Sequence, residues 1–79
     1  MEPVVKVKLV EGKNALKQIR ESLGMTQEKF ADSIGVNRKS IVRWENGRTK
    51  PMFSVPQVKA LQKAMREIGL DITDLPDDL

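Results

Sequence analysis

Seventy-nine residues with 14 Lys and Arg against 11 Asp and Glu give one small chain of net charge +3, with no cysteine, histidine or tyrosine. Without cysteine there is no disulfide and no thiolate metal site, and without imidazole, thiol or phenol the commonest catalytic groups are gone, so an enzyme is not expected. Residues 1–12 lack the apolar core of a signal peptide and no apolar run approaches membrane-spanning length, so a cytoplasmic protein is expected.

The first expected element is a short strand over Val4–Val10, where Val5, Val7 and Leu9 alternate with Lys6 and Lys8 and Glu11-Gly12 ends the run. A lone strand leaves its ladder groups unpaired, so it either pairs with the same strand of a second subunit or lies along the domain as an arm. A first helix is expected from about Lys13-Asn14 to Leu23, with Ala15, Leu16, Ile19 and Leu23 as its apolar stripe and Gly24 as terminator. A second starts at the N-cap Thr26, buries Phe30, Ala31 and Ile34 and stops at Gly35. A third runs from the N-cap Asn37 to Asn46, with Gly47 as its end, and Arg48 to Phe53 forms a loop around Pro51. The fourth opens with a capping box, Ser54 and Gln57, carries Val58, Leu61, Met65 and Ile68 on its buried side and closes at Gly69. Asp71 to Leu75 reads as a single helical turn stopped by Pro76. The division expected is an arm over 1–12, a helical domain over 13–75 and an acidic tail over 76–79.

The charge is unevenly placed. Between residues 38 and 50, Arg38, Lys39, Arg43, Arg48 and Lys50 stand against Glu45 alone, whereas from Asp71 onward come Asp74, Asp77 and Asp78 with no basic residue. One end is built to meet a polyanion and the other to avoid one. The aspartates lack the glycine and closing glutamate of a calcium loop, so no metal site and no cofactor is expected.

The segment Leu23–Pro51, LGMTQEKFADSIGVNRKSIVRWENGRTKP, joins two short amphipathic helices through Gly35. Its third-helix residues Arg38, Lys39 and Arg43 point outward while Ile41 and Trp44 point inward, which suits a helix laid in a DNA major groove. With Thr26-Gln27 opening one helix, Ala31 at the helix contact, Gly35 in the turn and Trp44-Glu45-Asn46-Gly47 closing the other, the chain resembles the phage repressor/Cro (Xre-type) helix-turn-helix family over about Ala15 to Leu75. The fold expected from that resemblance is mainly α: a compact lambda-repressor-like bundle of four to five short helices, with the short N-terminal strand as an addition to the common core.

Arg38, Lys39 and Arg43 are the expected base readers, arginine matching the O6/N7 edge of guanine as a fork. Gln27 resembles the residue that clamps a phosphate in this family, and its helix N-terminus favours an anion in any case; Ser40, Asn46, Arg48 and Lys50 are further phosphate candidates. The resemblance also implies a structural ion pair between Arg20 and Glu45. A lone domain makes few base contacts, so the expected protein is a homodimeric, sequence-specific regulator of double-stranded DNA, with repression the leading role and an inverted-repeat operator as its target. Val5, Val7 and Leu9 are the first choice for its dimer contact, the fourth helix and following turn, with Met52 and Phe53, the second. An alternative is the antitoxin of a toxin–antitoxin pair, whose further partner would be a toxin protein.

Overall fold

The computed structural model describes residues 9–10 and 12–76, and among them the backbone forms four α-helices and one 3-10 turn. These are α1 (Ala15–Ser22), α2 (Gln27–Ile34), α3 (Arg38–Glu45), α4 (Val55–Arg66) and the turn Ile72–Asp74. Each α-helix starts where a small polar side chain accepts a bond from an otherwise orphan amide: Asn14 from Lys17, Thr26 from Lys29, Asn37 from Lys39 and Ser54 from Gln57. The capping box of α4 is complete, with Pro56 in the first turn where a missing N–H costs nothing.

The helix ends share one device. After the last turns come Gly24, Gly35, Gly47 and Gly69, and the amide beyond each glycine reaches back five residues: Met25 to Arg20, Val36 to Ala31, Arg48 to Arg43 and Leu70 to Met65. At Gly35 this turn sets the angle between α2 and α3. Its φ of +75° is open to glycine, and a Cβ there would touch nothing within 4 Å, so the demand at this position comes from the backbone conformation alone. Met25 and Val36 are half-buried and Leu70 is buried, so three of the four exits turn an apolar side chain back onto the core. Arg48, at the fourth, is exposed.

Helix α2 lies at the centre, packed on α3 and on α4, while α1 contacts α3 and the 3-10 turn contacts α4. The core is Leu16 and Ile19 of α1, Phe30, Ala31 and Ile34 of α2, Ile41 and Trp44 of α3, and Leu61 and Met65 of α4, closed by Leu70. Ala31 of α2 is almost fully buried in the core, where a longer side chain would crowd its neighbours. Phe53 packs edge-on to Trp44, ring centroids 5.1 Å apart at 72°, which brings the loop after α3 back onto the core.

Two expectations need revision. Helix α4 ends at Arg66 with Glu67 as its C-cap, so Ile68, expected on its stripe, lies in the turn that Gly69 closes by returning Leu70 to Met65. Of the strand expected over Val4–Val10, residues 4–8 lie outside the described residues, and Leu9 and Val10 form no strand; no strand occurs among the described residues. At Val10 a side chain takes the place of a neighbouring strand: Gln18 Oε1 accepts from the Val10 amide at 2.7 Å and Gln18 Nε2 donates to the Val10 carbonyl at 3.1 Å. Leu9 packs, half-buried, against the core.

The 3-10 turn is capped by Asp71, whose carboxylate accepts from the Thr73 hydroxyl and amide, and these bonds hold its carboxyl below the usual carboxylate range. Replacement of Ile41, which is completely buried between α2 and α3, is expected to destabilise most where the helix pair is held. Ile41→Ala should lower the unfolding free energy by about 2–5 kcal/mol in urea titration, shifting the midpoint at an unchanged slope.

Candidate nucleic-acid interface

At about 100° per residue, the buried positions Ile41 and Trp44 of α3 place Arg38, Lys39, Val42 and Arg43 on the opposite, outward arc. Arg38, Lys39 and Arg43 are exposed, as are Arg48 and Lys50 in the following loop. Among the described residues the single ion pair is Arg20–Glu45, so none of these five cations is neutralised by a carboxylate. The outward face of α3 and the loop after it thus present five exposed cations.

Glu45 belongs to the same helix but not to that exposed group. Its side chain is only 3% exposed and is held by three donors: Arg20 Nε at 2.8 Å, Arg20 Nη2 at 3.0 Å and Gln27 Nε2 at 3.2 Å. Arg20 Nη1 in turn donates to the Met25 carbonyl at 3.0 Å, so one planar guanidinium ties α1 to the end of α3 and to the loop before α2. The hydrogen bond to Glu45 raises the Arg20 pKa above its ordinary value against the opposing effect of burial. The fork geometry is the strong, directional form of a carboxylate–arginine contact.

The remaining site candidates are placed as follows. One N–H of the Gln27 side-chain amide goes to Glu45, and its backbone amide lies at the start of α2, where an anion is favoured. Ser40 is half-buried at the edge of the outward arc, and Asn46 is the exposed C-cap of α3. Leu9 sits on the protein's own core, while Val5 and Val7 lie outside the described residues, as do Asp77 and Asp78. Met52 is 82% exposed beside the basic loop, whereas Phe53 is half-buried against Trp44.

Three residues that matter to this surface were not singled out from the sequence for it. Val42 stands between Arg38, Lys39 and Arg43, a position that a helical wheel could have shown. Asn14 and Gln57 reach α3 and its turn from other elements: Asn14 Nδ2 donates to the Trp44 carbonyl at 2.8 Å and Gln57 Nε2 to the Gly35 carbonyl at 2.9 Å. Their partners lie 30 and 22 residues away, and no local pattern carries that information.

A helix-turn-helix family model matches residues 16–75 of the chain. M.SsoII of Shigella sonnei, a type II methyltransferase, is 49% identical over 39 residues, covering 46% of this chain and 10% of that protein. An uncharacterized HTH-type transcriptional regulator of Methanothermobacter thermautotrophicus is 42% identical over 36 residues, covering 46% of this chain and 52% of that protein. The alignment therefore spans about half the regulator's length and about a tenth of the methyltransferase's. No solved structure matches the chain.

The buried ion pair makes a direct prediction. Arg20→Met alone strands the Glu45 carboxylate and is expected to lower stability by about 3 kcal/mol, whereas Arg20→Met with Glu45→Leu should be destabilised by less than the sum of the single changes. Thermal or urea unfolding of the four members of this cycle measures the coupling; additive losses would remove the pair from the scaffold.

Proposed function

Because the chain belongs to the Xre/Cro-like helix-turn-helix family, we propose that it is a sequence-specific double-stranded DNA-binding transcriptional regulator that reads the major groove with α3. The observation that carries this reading is the unneutralised cationic arc of Arg38, Lys39 and Arg43 on a helix whose other face is locked into the core. The likeness to a protein named as a transcriptional regulator supports it. The likeness to the methyltransferase touches a tenth of that enzyme and brings no transfer chemistry to the proposal.

In this reading Arg38, Lys39 and Arg43 reach base edges from the first and last turns of α3, and at least one of the arginines forks onto the O6/N7 edge of a guanine. Val42, between them, offers an apolar surface to a thymine methyl group. Arg48, Lys50, Ser40 and Asn46, with the backbone amide of Gln27, hold phosphates and set the register without reading sequence. Two copies bind together, placing one α3 in each of two successive major grooves, so the half-sites form an inverted repeat about 10 bp apart. Occupancy of such a site blocks access to it, which makes repression the simplest regulatory outcome.

Selection of bound duplexes from a random pool, followed by fluorescence anisotropy on selected and random DNA over a range of salt, tests the proposal. Selected duplexes should carry paired half-sites with guanine and bind far more tightly than random ones; equal affinity for both would end the sequence-specific reading. Arg43→Ala is expected to cost about 1–3 kcal/mol on the selected site and to relax preference at one base position. Lys50→Ala should weaken all sequences alike and reduce the slope of log affinity against log salt by about one.

A further inference from the structure

We propose that Asn14 and Gln57 are positioning residues that tether the reading helix at its last turn and at the turn leading into it, while capping helices of their own. The inference rests on the reading above, in which α3 faces DNA.

Each side chain is an amide with one oxygen and one nitrogen, and in each the two atoms have separate tasks. Asn14 Oδ1 accepts from the Lys17 amide at 2.9 Å, which starts α1, and Nδ2 donates to the Trp44 carbonyl at 2.8 Å, in the last turn of α3. Gln57 Oε1 accepts from the Ser54 amide at 2.8 Å, which completes the capping box of α4, and Nε2 donates to the Gly35 carbonyl at 2.9 Å, in the turn that launches α3. A backbone N–H can only donate, so each cap fixes which end of the amide is oxygen and thereby aims the nitrogen at its carbonyl. Neither bond lies within one element. Asn14 joins α1 to the end of α3, and Gln57 joins α4 to the turn between α2 and α3.

The Arg20–Glu45 pair grips α3 near its last residue only, and a helix held at one end and along one face can still pivot. Bonds at Gly35 and Trp44 hold the backbone on either side of Arg38, Lys39 and Arg43. Forked contacts to base edges depend on orientation, whereas long lysine and arginine stems adjust to a phosphate. Loss of the tethers should therefore lower discrimination between sequences more than general affinity for DNA.

Cap and tether can be separated by substitution. Serine and aspartate are good N-caps without a donor aimed at Trp44, and glutamate at position 57 keeps the capping box without an N–H for Gly35. Wild type, Asn14→Ser, Gln57→Glu and the double variant are compared as full chains. Hydrogen exchange of backbone amides by NMR should show the α3 amides exchanging several-fold faster in the variants, with α1 and α4 unchanged. The ratio of selected to random duplex affinity should fall by about tenfold in the double variant, comparable to one lost base contact. The negative charge of Gln57→Glu weakens both duplexes, so the ratio is free of it, and Asn14→Ser adds no charge. Asn14→Asp serves if the serine variant unfolds. Unchanged exchange in α3 overturns the tether, as does faster exchange with an undiminished ratio. If the wild-type chain itself fails to discriminate, the DNA reading falls while the exchange result still decides the tether.

Discussion

The arrangement depends on taking one negative charge out of a positive surface. Glu45 is part of α3, and left in solvent its carboxylate would lie beside the five cations and repel the polyanion they would attract. Arg20 and Gln27 give it three hydrogen bonds in a setting almost free of water, so it is neutralised by the scaffold rather than by Arg43 or Arg48. The same contact supplies most of the polar attachment between α1, the start of α2 and the end of α3. Charge segregation and mechanical attachment are thus one interaction, and weakening it would compromise both.

The rest of the scaffold follows the same economy. Every α-helix among the described residues begins on a side-chain cap and ends on a glycine turn, which leaves few unpaired backbone groups in a chain too short for a large core. Helix α2 is the central body, with α3 and α4 on it, and α1 reaches across to α3. Within that frame the five cationic side chains form no ion pair with any other described residue.

Much of the helical frame was legible in the sequence because its signals are local. The caps Thr26, Asn37 and Ser54 precede apolar stripes at helical spacing, and a glycine follows the end of each of these helices within three residues, so the element order could be read before any tertiary contact was considered. What could not be read depends on distant pairs. The alternation of Val5, Val7 and Leu9 looks like a strand, but nothing near Val10 in the sequence reveals that Gln18 would satisfy its backbone groups. The wheel of α3 shows which charges face outward, yet it does not show that the side chain of Gln27 is occupied by Glu45, or that Asn14 and Gln57 hold the helix from other elements. The link between Arg20 and Glu45 came from family resemblance, since 25 residues separate the two and neither has a local cue.

The division of α3 into an anchored face and an unencumbered one also has an evolutionary meaning. Ile41, Trp44 and Glu45 answer to the interior, while Arg38, Lys39, Val42 and Arg43 support no described intramolecular bond through their side chains. Changes at the three exposed cations among them therefore touch folding little, and a gene duplicate can drift there without first acquiring compensating mutations. A scaffold of this kind is pre-adapted to diversify: related copies in one genome can part company in what they recognise through a handful of substitutions, long before their folds differ.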